Sequence, residues 1–202
     1  MYSMENSTNE IITNSVEFVS LGNWCITSHA IKLSKLKKSS YPFDWIFSSH
    51  KMIINFLEEV TLFTYNNLVL ESGKTHHKVY GDIFNHHDPL VSIEDYQYFE
   101  RCVDRFMELK SKEHVCFVVI TGQNTSQNTD HQSLYNTLCQ HFTRFSLVSI
   151  DKQHGRKNVV CKVLANNWKM YSIFTENMWN GNNWDAHVDN EIKLVSDILL
   201  AQ

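Results

Sequence analysis

The run Val115-Cys116-Phe117-Val118-Val119-Ile120-Thr121 has no polar alternation, and this constrains the fold more than any other feature of the chain. A strand with one face in water alternates apolar and polar residues, so a strand without that alternation must be covered on both faces. Strands of this kind belong to parallel or mixed sheets flanked by helices. Such a strand needs helices elsewhere in the chain to cover both of its faces.

Val16 to Leu21 reads as a first strand, leading through Gly22 to a helix that opens at Cys25 and runs to about Leu36. Ser39 to Trp45 contains Pro42 between aromatic residues and reads as a loop packed onto the body of the protein. Ser49 to Val60 reads as a second helix, with Ser49 as its cap and Met52, Ile53, Phe56, Leu57 and Val60 on one face. Leu68 to Phe84 is shorter and strand-like, with turn points at Gly73 and Gly81. From Ile93 to Lys110, Phe99, Cys102, Val103, Phe106 and Leu109 recur at helical spacing.

After the Val115 strand come a helix over Ser133–Phe142, apolar strands over Phe145–Ile150 and Val159–Ala165, and a closing helix over Ile192–Leu200. Trp179 to Asp185 reads as a loop by composition. The alternation predicts an α/β fold of three layers, Rossmann-like, with a mostly parallel sheet and helices on both faces. A single domain over residues 15–202 is expected, after a polar, flexible lead over residues 1–14.

A net charge of -4 and a pI near 6.2 supply no basic field, so no nucleic-acid partner is expected. Lys32, Lys35, Lys37 and Lys38 gather at the end of the first helix, where cations complement its negative terminus. No apolar stretch approaches the roughly 20 residues that span a bilayer, so the sequence predicts a soluble protein with no membrane partner. Five cysteines, an odd number without a C-x-x-C pair or a signal-peptide pattern, point to a reducing compartment and hence the cytoplasm. Cys116 and Cys161 lie in strand-like apolar runs, and Cys102 and Cys139 on apolar helix faces, so these four read as core. No phosphate-cradling glycine loop and no H-E-x-x-H occur, so neither a cofactor nor a metal is expected.

Cys25 stands apart because a turn precedes it. A thiol in the first turn of a helix lies near the positive end of the macrodipole, where thiolate is favoured. The alternative is a small hydrophobe buried at the strand exit. Catalysis by Cys25 needs a base and a group to orient it. His86 and His87 beside Asp88 supply one candidate set, His76 and His77 another, and His187 near Asp185 a third. Asp44, flanked by Phe43 and Trp45, is either part of that chemistry or a structural partner for Arg101 or Arg105. Gly122-Gln123-Asn124 follows the Val115 strand, where open sheets place binding loops, and Gln123 or Asn124 could donate to an oxyanion. A different class of function is a non-catalytic module that binds a sugar or sugar nucleotide on Trp45, Trp179 and Trp184.

Four motifs in order carry a resemblance: Ser20-Leu21-Gly22-Asn23-Trp24-Cys25, Ser40-Tyr41-Pro42-Phe43-Asp44-Trp45, Tyr80-Gly81 with Phe84-Asn85-His86-His87-Asp88, and Arg101-Cys102-Val103-Asp104-Arg105-Phe106. Together they resemble a family described as papain-like cysteine peptidases (DUF1796), spread among bacteria, plants and large DNA viruses. The resemblance implies a Cys25 nucleophile, a base at His86 or His87, and support from Asp44 or Asp88. Asn23, Trp24, Trp45, Arg101, Arg105, Gln123 and Asn124 are then candidates for binding substrate. It also brings a papain-like α+β fold as the alternative architecture, and the host cytoplasm as the location of a viral member. Relatives beside cell-surface polysaccharide genes suit acyl transfer or a glycan substrate as well as a peptide or other small molecule.

Overall fold

The computed structural model describes residues 16–122, 130–175 and 186–202, with side chains of the last helix from residue 190. The expected lead and the Trp179–Asp185 loop lie outside the described residues. In chain order the elements are β1 (Val16–Ser20), α1 (Cys25–Leu33), α2 (His50–Glu58), β2 (Leu68–Glu71), β3 (Lys74–His77), α3 (Ile93–Glu108), β4 (His114–Thr121), α4 (His131–His141), β5 (Phe145–His154), β6 (Asn158–Ala165), β7 (Trp168–Thr175) and α5 (Ala186–Leu200).

The architecture is mixed α/β, built on a five-stranded, mostly parallel sheet in the order β1-β4-β5-β7-β6. β4 lies between β1 and β5 and is parallel to both, with Val19 opposite Phe117 and Phe117 opposite Leu147. The apolar run is thus an interior strand, buried from Val115 to Thr121. Val19, Phe117, Leu147 and Trp168 face a core shared with α2, α3 and α4. Phe18, Cys116, Val118 and Ile150 face the other core, shared with α1 and α5. Alternate residues of a strand point to opposite faces, which is why one unbroken apolar run serves two cores.

The helices start where the sequence provides caps. Ser49 accepts from the Met52 amide at 3.2 Å, Ser92 from Asp95 at 3.2 Å, and Asp130 from Ser133 at 2.8 Å. α1 stops at Leu33, three residues before the expected Leu36, because Lys35 turns into the left-handed region at φ 58°. Edge-to-face packing of Phe43 on Phe56 at 5.2 Å, and of Phe56 on Phe106 at 5.3 Å, fastens the 43–48 strap and α2 onto α3.

Three expectations need correction. β7 was not anticipated, although it pairs in parallel with β5 along Leu147–His154 and draws β5 out to His154. β6, expected to be covered on both faces, is an antiparallel edge strand with a single neighbour and is exposed along nearly its whole length. Cys161 on β6 and Cys139 on α4 are accordingly exposed, while Cys102 and Cys116 are buried as expected. Among the described residues no helix is long and apolar enough to cross a membrane.

Candidate functional site

Parallel strands end on one side of the sheet, and the helices that follow them begin there. β1 leaves the sheet through Gly22 and Asn23, both left-handed at φ 79° and 77°. Only glycine fits the first position. A Cβ on Gly22 would lie 2.2 Å from Ser48 Oγ and 2.9 Å from the Phe43 carbonyl oxygen. The Ser48 hydroxyl accepts from the Asn23 amide at 2.9 Å and donates to the Leu21 carbonyl at 3.0 Å. Ser20 Oγ accepts from the Gly22 amide at 3.0 Å, and Thr27 Oγ1 donates to the Gly22 carbonyl at 2.8 Å. This stitched turn delivers Cys25 as the first residue of α1.

Cys25 is half-buried. Burial pushes its thiol above the ordinary range, opposed by its own backbone N–H. The first-turn position does not by itself lower this thiol. A buried thiol of this kind needs a proton acceptor to become a nucleophile.

A chain of imidazoles occupies the same rim. His50, the first residue of α2 and 2% exposed, places Nε2 at 3.0 Å from His131 Nδ1. His131, the first residue of α4, places Nε2 at 3.0 Å from Asp151 Oδ1 on β5. Asp151 also accepts from the Thr121 hydroxyl at the end of β4. Burial raises the Asp151 carboxyl, but the bonds from His131 and Thr121 outweigh it and hold the group below its ordinary value. Burial and the neighbouring His131 push His50 down to about 4, against Asp151 and Asp130, so its ring is neutral at neutral pH. Both nitrogens of His131 are engaged, one by each neighbour, so the three side chains form a line of hydrogen bonds. Among the described residues no cluster of His, Cys, Asp and Glu is arranged to hold a metal ion.

Sequence reasoning singled out none of these three residues. The available signals were positional: His50 and His131 each directly follow a capping residue, and Asp151 is a polar residue closing an apolar strand.

The residues that were singled out take several positions. Asp44 is wholly buried, ion-paired with Lys37, and accepts from the Tyr41 amide at 2.7 Å. Burial raises its carboxyl, with Lys37 pulling the other way. Its ion-pair partner is thus Lys37 rather than Arg101 or Arg105. Arg105 donates to the Ser40 carbonyl at 3.4 Å, while Arg101 lines a cavity of about 430 Å³ on α3 together with Tyr96, Gln97 and Glu100. His86 is exposed and packs edge-on against Trp45, with ring centres 5.8 Å apart. His87 pairs with Asp95 at 2.8 Å and stacks on Tyr98 at 4.2 Å. Asp88 accepts from the Thr75 amide at 3.1 Å and from the Thr75 hydroxyl. Trp24 precedes Cys25 as the cap residue of α1. β1 and β4 are parallel neighbours, so Gly122 follows the strand beside the Cys25 turn. Gln123 and Asn124 lie outside the described residues, as does Asp185, and of the His187 side chain nothing is described.

Residues 16–147 match the family model described as Putative papain-like cysteine peptidase (DUF1796). No curated protein and no solved structure matches the chain.

Proposed function

The chain belongs to the DUF1796 family, whose description reads Putative papain-like cysteine peptidase, and from that premise we propose that it is a cysteine hydrolase or acyltransferase with Cys25 as nucleophile. The observation that carries the reading is the stitched turn at Gly22–Asn23, which fixes Cys25 at the head of α1 on the rim where the parallel strands end. The Cys25 sulfur attacks a carbonyl carbon, an imidazole takes the thiol proton and returns it to the leaving group, and water or a second acceptor resolves the thioester. Main-chain N–H groups of the first helical turn are the natural donors to the oxyanion, with Gln123 and Asn124 as candidates from the loop after β4.

The loop imidazole of His86, carried on Trp45, is a base candidate with an exposed ring, and His87 is its neighbour. Asp88 steadies their loop through Thr75, and Asp44 steadies the strap beneath Trp45 through Lys37. Asn23 and Trp24 directly precede the thiol in sequence and, with Trp45 on the strap, are candidates for contact with a peptide, glycan or other small acyl substrate, as are Arg101 and Arg105 on α3. We read the fold as a Rossmann-like three-layer sheet, supported by the four parallel strands and by a helical core on each face.

A second reading, a non-catalytic sugar-binding module, is favoured by one observation: burial raises the Cys25 thiol. Intact-mass analysis after incubation with p-nitrophenyl acetate separates the two. One acetyl group on wild type, located on Cys25 and absent from Cys25→Ser, supports the hydrolase; no acylation at Cys25 supports the binding module.

A further inference from the structure

We propose that Asp151, His131 and His50 form a proton relay whose inner end, His50, is the base for Cys25. This inference rests on the hydrolase reading above. Its geometry is continuous: Asp151 Oδ1 to His131 Nε2 at 3.0 Å, then His131 Nδ1 to His50 Nε2 at 3.0 Å. His50 follows Ser48 by two residues, and Ser48 exchanges bonds with Asn23, two residues before Cys25, at 2.9 Å and 3.4 Å. Two hydrogen bonds therefore tie the strap that leads into His50 to the turn that leads into the thiol.

The chemistry of the donors fixes the protons. Ionised Asp151 can only accept, so His131 carries its hydrogen on Nε2 and leaves Nδ1 as an acceptor. His50 must then donate from Nε2, which leaves its Nδ1 lone pair free to take a proton. When the Cys25 S–H bond breaks, the proton joins His50 Nδ1 and the Nε2 hydrogen of His50 passes to His131 Nδ1. The positive charge comes to rest on His131, beside the Asp151 carboxylate, and the thiolate keeps the electron pair that forms the S–C bond. Expulsion of the leaving group runs the transfer backwards.

The relay resolves an apparent conflict. His50 alone is a weak base, because burial and His131 disfavour its charged form while Asp151 and Asp130 only partly restore it. It need not hold the charge, since His131 does. Two helix N-termini also point at this rim and disfavour a cation on His50 or His131, which leaves the carboxylates of Asp151 and Asp130 as the groups that compensate.

The test is the pH profile of Cys25 alkylation by iodoacetamide, read by mass spectrometry, in wild type, His50→Gln, Asp151→Asn and His86→Ala. The relay predicts a reactive limb at or below pH 7 in wild type. It predicts at least a tenfold slower reaction at pH 7 in His50→Gln, with only a limb above pH 9 remaining. Asp151→Asn, at a partly exposed position, is expected to lose the same limb, and carries the test should His50→Gln fail to melt cooperatively. A wild-type limb that survives in both His50→Gln and Asp151→Asn but vanishes in His86→Ala overturns the relay and leaves the hydrolase standing. A wild type with no limb below pH 9 overturns both. Imidazole ¹⁵N shifts supply a separate check: a hydrogen on Nε2 of both His50 and His131 supports the relay, and one on Nδ1 of His131 overturns it.

Discussion

The Asn23 amide donates to the Ser48 hydroxyl at 2.9 Å and thereby ties the turn before Cys25 to the strap before His50. Two segments 25 residues apart in sequence share one small knot at the rim of the sheet. The placement of the thiol depends on it.

Gly22→Ala tests the knot. The added Cβ meets Ser48 Oγ at 2.2 Å and the Phe43 carbonyl at 2.9 Å on a backbone already at φ +79°. Side-chain movement cannot relieve a backbone clash, so a loss on the order of 3 kcal/mol is expected in urea denaturation. Gly73→Ala, where nothing lies within 4 Å, should cost less, since only the positive φ opposes it.

Asp44 and Lys37 make a pH-dependent prediction. Lys37→Met leaves a wholly buried carboxyl without its cation and is expected to cost about 3–5 kcal/mol at pH 7. The folded state holds the Asp44 carboxyl above its unfolded value, so it binds the proton more tightly than the unfolded chain does, and its stabilisation is greatest below the unfolded value and is lost as pH rises through the folded one. Removing Lys37 raises the folded value further. The deficit of Lys37→Met relative to wild type should therefore shrink as denaturation is repeated toward pH 4.

His50 has the opposite sign. Its folded value of about 4 lies below the ordinary 6.5, so the unfolded chain binds the proton first as pH falls. Stability from this group is complete above about pH 6.5 and drains away toward pH 4, by roughly 3 kcal/mol at most. Denaturation of His50→Gln between pH 7.5 and pH 4.5 should show a correspondingly flatter decline than wild type.

The two loop histidines should separate stability from chemistry. His87→Ala removes the Asp95 pair and the Tyr98 stack and is expected to cost about 1 kcal/mol in thermal or urea unfolding. His86→Ala removes an exposed ring from Trp45 and a long, exposed contact with Asn85 at 3.4 Å, and should fall within about 0.5 kcal/mol of wild type.

The fold was legible where burial is reported by pattern. The unalternating Val115 run implied an interior parallel strand, and Ser49 announced α2 through its cap. β7 escaped because only Trp168 and Ile173 of its eight residues are buried, which leaves no clean period of two. β6 misled because Val159, Val160 and Val163 look like core while an edge strand leaves them exposed. The site was legible at Cys25, where a turn and a helix start are local signals. The His50–His131–Asp151 line was not, because it joins residues 81 and 20 positions apart, and nothing in a single sequence reports which helix starts meet.

The central claim is that Cys25 is the nucleophile, and competition labelling tests it most directly. At a sub-stoichiometric dose of iodoacetamide and pH 6.5, half-buried Cys25 competes with exposed Cys139 and Cys161 in the same molecule. Access favours the two exposed thiols and activation favours Cys25. Cys25 labelled first, ahead of both, is the predicted result; Cys139 and Cys161 labelled while Cys25 stays unmodified would contradict it.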